Sequence, residues 1–227
     1  NKNTVTPTVV VDGSGVNCAL QINRHTNPGG GGGQLIISST RGSSITGHTV
    51  LQANDGLGTI DFVGSDGDEF VSGAAIQAQV DGTPGGDDLP TRLLFSTTAD
   101  GASGVTERLR IASDGVVTVK NGAVAEIDTL TSASTVTPDF AASCNFTLTL
   151  GTNVTLANPS NLTAGQTGSI FLVQDATGSR VVSWGSFWDF AGGTAPTLTT
   201  DANAVDRVDY VVRTTGSIHA VATLNLS

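Results

Sequence analysis

The sequence predicts an elongated all-β protein, on three observations. Strong helix formers are scarce, with three Glu, two Lys and no Met in 227 residues, while Thr and Val are abundant; β-branched side chains suit a pleated surface better than a helix. Short apolar runs recur at intervals of about 10 to 15 residues between Gly- and Asp-rich turns, the spacing of successive strands. Several segments alternate apolar and polar with period two, among them Thr147-Leu148-Thr149-Leu150 and the chain end, where Ile218, Ala220, Ala222, Leu224 and Leu226 share one face.

Taken in order, residues 1–33 form an N-terminal segment with a Gly-rich linker. Val5, Val9 and Val11 read as strand positions broken by Pro7 and the turn Asp12-Gly13-Ser14-Gly15, and five glycines, Gly29 to Gly33, follow Pro28. Residues 34–122 form a β module with strands expected at Leu35-Ile36-Ile37, Val50-Leu51, Ile60 to Val63, Ala74 to Val80, Leu93 to Phe95, Leu109 to Ile111 and Val116 to Val119. Asp66-Gly67-Asp68-Glu69 and Gly82 to Asp88 belong to surface turns. After Asn121-Gly122, residues 123–227 form a C-terminal β-domain of sandwich-like type. Its runs Ile170 to Val173 and Val208 to Val212 are apolar on both faces, as strands covered on both sides are.

Composition also bounds function. Charged residues are only 13% of the chain, but the net charge is −10 and the pI near 4.4, a field that repels nucleic-acid backbones and anionic membrane surfaces. No apolar run approaches a membrane span. The sequence opens on Asn1 without a signal-peptide pattern, which says nothing of export. Cys18 and Cys144 lack zinc or redox spacing and are expected as free thiols. No hydrolase elbow, zincin helix or phosphate loop occurs, and His25, His48 and His219 have no adjacent catalytic partner in sequence. No cofactor and no enzymatic activity are expected. Asp61, Asp66, Asp68 and Glu69 are spaced closely enough to raise calcium, but the twelve-residue loop pattern is missing and a solvated acidic turn explains them better.

Two ordered sets of motifs carry a resemblance. Arg41-Gly42 through Leu51, Leu57 to Gly67, Ala78 to Gly82, Leu93 to Thr98 and Glu107 to Gly115 resemble the shaft region of phage tail fibres. Asn153 to Asn158, Gly165 to Gln174, Gly178 to Trp184 and Phe187 to Pro196 are similar to a β-domain at the C-terminal ends of phage tail and fibre proteins. The resemblance implies a trimeric fibre or spike on the virion surface, joined to another virion protein through the N-terminal segment and adhering to a glycan or protein of the bacterial surface. Alternatives are a head fibre or spike that decorates the capsid, and a polysaccharide-degrading tailspike. Low aromatic content and 29 glycines favour a homotrimer independently, since one chain's own core is thin against the entropy of ordering it.

Within that reading Trp184, Phe187, Trp188 and Phe190 form the one dense aromatic cluster. Trp184 and Trp188 are candidate receptor contacts, since indole faces stack on sugars, with core or interface packing as the stronger competitor. A glycan-cleaving pair would have to come from carboxylates such as Asp189, Asp201, Asp206 and Asp209, which surface placement explains equally well. Sequons at Asn145, Asn153 and Asn161 are by-products of Thr-rich strands in a phage protein.

Overall fold

A computed structural model of the chain describes residues 32–44 and 47–226. Expectations for the first 31 residues, including the Val5–Val11 strands, Cys18, His25 and virion attachment, fall outside the described residues. Apart from one short 3-10 turn at Ala191–Gly193, the regular structure among the described residues is β throughout. The chain divides into two compact units, Asn1–Ala123 and Val124–Ser227.

In the first unit β1 (Gly56–Ser65), β2 (Phe70–Val80), β3 (Thr91–Thr98), β4 (Val105–Ile111) and β5 (Val117–Val119) make an antiparallel meander in chain order. The turns are set by short polar residues and glycines. Asp66 Oδ1 accepts the N–H groups of Asp68 (2.9 Å) and Glu69 (2.8 Å) between β1 and β2, and Gly115 adopts φ 82° between β4 and β5. Two segments expected as strands are not: Leu35-Ile36-Ile37 and Val50-Leu51 have no ladder partner. Ile37 instead lies over Gly58, where a Cβ would collide with its Cγ2. The loop after Leu51 bonds to the end of β2, through Asn54 N–H to Val80 O and Val80 N–H to Asp55 O, both 2.9 Å.

This sheet is one layer thick. Its buried apolar residues are Leu51, Ala75, Val80 and Leu94. One face is held by Arg92, which donates to Asp81 Oδ1 (2.9 Å), Asn54 Oδ1 (2.8 Å) and Gln79 Oε1 (2.6 Å), while Asp81 also accepts Ser113 N–H at 3.0 Å. One side chain thereby ties the loop before β1, the end of β2 and the turn after β4 to β3.

The second unit is built differently. Strands β6 (Ile127–Leu130), β8 (Asn145–Leu150) and β10 (Thr167–Gln174) pair in parallel in one sheet, and β7 (Thr135–Val136), β9 (Val154–Leu156) and β11 (Val182–Trp184) pair in parallel in another. The chain alternates between the sheets and so winds through three successive coils. Like positions stack from coil to coil: Leu130 on Leu148 on Leu172, and Val136 on Leu156 on Trp184. A C-terminal hairpin of β13 (Val205–Thr214) and β14 (Ser217–Thr223) closes the larger sheet, with β13 antiparallel to β10 and β12 (Trp188–Phe190) parallel to β14. Two sheets enclosing one core is what a sandwich provides. Because each coil returns the chain to the same end, however, the coil strands of both sheets run parallel, where sandwich sheets are antiparallel.

The alternating pattern places Phe146, Leu148, Leu150, Leu156, Ile170, Val208 and Ile218 inward at 0% exposure. Two buried polar residues are fully engaged. Gln174 acts as a backbone surrogate, donating to Arg180 O and Thr199 O (both 2.8 Å) and accepting Arg180 N–H at 2.9 Å. Asp206 is 2% exposed and accepts Thr199 N–H (2.7 Å), the Thr199 hydroxyl (2.8 Å) and Asn225 N–H (2.8 Å), which corrects its expected surface position. The Asn225 bond pulls the chain end off the β14 pattern: Leu224 and Leu226 are exposed, whereas Ile218 and Ala220 are buried.

Tyr210, the chain's single tyrosine, donates its hydroxyl to Cys144 O at 2.7 Å across Gly168, where a Cβ would clash with that carbonyl. Burial, with Cys144 alongside, holds the phenol far above its ordinary value of 10.0. A raised folded-state value means that the unfolded chain loses the proton first. Stability from this group is therefore complete below pH ~10 and declines as pH rises beyond it. An ultraviolet titration is expected to show no phenolate near pH 10, and ionisation at higher pH only together with unfolding of the second unit.

Candidate functional site

The aromatic cluster is assembled by a tight crossing between β11 and β12. Gly185 passes so close to Asn158 that a Cβ would strike its amide, and Asn158 Oδ1 accepts Phe187 N–H at 2.9 Å. This turn delivers Trp188 into the core at 6% exposure, with Nε1 donating to Ala157 O at 3.2 Å. Its indole makes edge contacts with Trp184 (5.4 Å), Phe140 (6.4 Å) and Tyr210 (6.1 Å), and Phe140 stacks on Tyr210 at 4.6 Å. Trp184 is partly buried against the same core, 4.8 Å from Phe190, and its Nε1 is buried without a hydrogen-bond partner. Both candidate receptor contacts thus come together, in packing positions. Phe140, which touches the Trp188 and Tyr210 rings, carried no signal in the sequence beyond being aromatic.

The other candidates are dispersed. Asp66 shapes the β1–β2 turn, and Asp61 on β1 is bonded by the Ser72 hydroxyl of β2. Asp189 accepts the Ser217 hydroxyl at 2.6 Å, and Asp209 accepts the Ser169 hydroxyl at 2.6 Å and Arg207 Nε at 2.9 Å. Asp201 lies in the exposed turn before β13. Among the described residues no group of three or more His, Cys, Asp or Glu is arranged to hold a metal ion. His48 and His219 are exposed, and Cys144 is free and half-buried. Of the sequon residues, Asn145 is half-buried in β8 and Asn153 and Asn161 are exposed.

One surface stands apart from these. Register pairs across the first sheet put Ile60 and Phe62 of β1 beside Ile76 and Ala74 of β2, then Phe95 and Leu93 of β3, Leu109 and Ile111 of β4, and Val119 and Val117 of β5. Directly opposed residues share a face, so these side chains form a single apolar face. Its reverse carries Thr59, Asp61, Gln77, Gln79, Arg92, Arg110 and Thr118 together with the buried Ala75 and Leu94. Each strand contributes an apolar i, i+2 pair, a signal present in the sequence and obscured by register shifts at Phe62/Val63 and Phe95/Ser96. In the second unit, a shallow groove beside β14 is lined by Phe190, Ala191, Pro196, Val221 and Leu224.

The two indoles separate by substitution. Trp188→Ala is expected to destabilise the second unit by about 3–5 kcal/mol, since it empties the centre of the core. Trp184→Phe is expected to change stability by less than about 1 kcal/mol, because removal of an unpartnered buried N–H offsets the lost packing. Chemical denaturation followed by near-ultraviolet circular dichroism measures both.

Residues 136–217 match the model of a family described as "Putative phage tail fibre C-terminal domain". The match lies within the second unit and runs from β7 to the first residue of β14. No curated protein matches the chain. Residues 136–217, which take in the second and third coils, the aromatic crossing and β13, are therefore similar to a phage tail-fibre C-terminal domain, and that likeness supports a structural role in a virion appendage.

Proposed function

We propose that the chain is the adhesive part of a phage tail fibre or spike, working as a homotrimer that binds a glycan or protein of the bacterial surface. The tail-fibre C-terminal domain at residues 136–217 is the observation that carries this reading. Its supports are physical as well. The Val124–Ser227 unit encloses its own core, so it can present fixed surfaces without help, whereas among the described residues no second sheet covers the β1–β5 sheet. Joining several copies multiplies weak contacts, because a second engagement on the same particle takes place at high effective concentration. Attachment to the particle is assigned to residues 1–33.

The experiment is binding of the purified, fluorescently labelled chain to cells of the phage's host. Saturable binding that blocks phage adsorption is the expected result. Absence of binding, with antibodies against the chain decorating the capsid and not the tail, would replace adhesion by a head-decorating role.

A further inference from the structure

We infer that Asn121 is a site of spontaneous covalent modification, converting through a cyclic imide to aspartate and isoaspartate, an inference that goes beyond the adhesive reading and does not depend on it. Asn121-Gly122 is the one Asn-Gly pair in the sequence, a dipeptide that ordinarily closes a two-residue hairpin. Here it closes none. The strands on either side of it, β5 and β6, belong to different sheets, so no ladder extends over the turn. The last bond before the pair is Lys120 N–H to Arg108 O at 2.8 Å, and the next along the chain is the Ser143 hydroxyl to Glu126 O at 2.9 Å. Among the described residues nothing bonds to 121–125, all of which are exposed, Val124 fully.

This leaves the reacting atoms unrestrained. Gly122 has no side chain to obstruct its nitrogen, and the space where a Cβ would stand is open. Asn121 and Gly122 adopt φ 63° and 88°, the left-handed region that both residues tolerate, and with no bond to lock it the pair can leave that region for the geometry of attack. The Gly122 nitrogen, its proton lost to base, attacks Asn121 Cγ. The new N–C bond closes a five-membered succinimide, and the carboxamide nitrogen departs as ammonia. Water then opens the ring: at Cγ it restores the main chain as aspartate, and at the original peptide carbonyl it leaves the main chain running through Cγ, as isoaspartate. One water enters and one ammonia leaves, with no oxidant or reductant, and each event adds a negative charge to a chain already at −10. Other asparagines are held or blocked. Asn153 Oδ1 accepts Val181 N–H at 3.1 Å and is followed by branched Val154, Asn54 Oδ1 accepts Arg92 at 2.8 Å, and Asn158 precedes Pro159, whose nitrogen has no proton to give.

The test is storage of the full wild-type chain, folded, in mildly alkaline buffer, beside a synthetic peptide of residues 117–127. Peptide mapping by mass spectrometry follows the gain of about 1 Da at each asparagine, and isoaspartate is read by enzymatic methylation. The expected result is conversion of Asn121 in the folded chain within about tenfold of its rate in the free peptide and at least about tenfold faster than that of Asn153, with isoaspartate among the products. Slower conversion of Asn121 by more than that margin would mean that the fold protects the turn, and overturns the inference. So does an Asn121 rate that does not exceed that of Asn153 by this margin, or a product free of isoaspartate, which would replace ring closure by direct hydrolysis of the side-chain amide.

Discussion

A sheet with an apolar face needs a second layer, and the two halves of this chain meet that requirement in opposite ways. In Val124–Ser227 the chain coils between two parallel sheets, so each turn lays Leu148, Ile170 or Leu172 against Val136, Val154 or Leu156 of the facing sheet, and the hairpin β13–β14 extends the cover. In the meander β1–β5 the strands follow one another in a single plane, and no second sheet among the described residues returns to cover Phe62, Ile111 or Val117. The first arrangement is complete in one chain. The second leaves apolar area in water, at a free-energy cost of roughly 25 cal/mol per Å², unless another surface covers it.

This contrast orders the rest of the molecule. Precise polar bonding concentrates where the core is closed: Gln174 and Asp206 spend every buried acceptor on backbone or hydroxyl donors, and Gly168 and Gly185 permit approaches that no Cβ would allow. In the first unit order comes from ion pairs at partly exposed positions, such as Arg41–Asp55 at 2.5 Å and Arg110–Glu107 at 2.8 Å. Exposed pairs of this kind contribute little each. They hold loops and register, and they do not replace a core.

Several features were legible in the sequence because they depend on neighbours along the chain. Period-two alternation identified β8 and the first half of β14, and the glycine- and aspartate-rich punctuation located the turns around Asp66 and from Gly82 to Asp88. What depends on distant neighbours was not legible. Alternation is the same for parallel and antiparallel strands, so nothing in Thr147-Leu148-Thr149-Leu150 reveals that Leu148 stacks between Leu130 and Leu172. Asp206 looked like a surface carboxylate because its donors, Thr199 and Asn225, arrive from other segments. The aromatic density around Trp188 was visible, but its inward direction is fixed by Gly185 and Asn158, whose closeness arises only in the fold. Leu35-Ile36-Ile37 had the composition of a strand and lacked a ladder to join.

The central claim is that one half of the chain encloses its own core and that, in the homotrimer proposed above, the other half is completed by its copies. Thermal unfolding of the full chain over a hundredfold range of protein concentration tests it, because both tryptophans, Trp184 and Trp188, report on the second unit while far-ultraviolet circular dichroism reports on the strands of both. The account predicts a circular-dichroism transition that rises in temperature with concentration, by mass action, and a tryptophan-fluorescence transition that stays fixed. Melting of the whole chain at a temperature independent of concentration would contradict it.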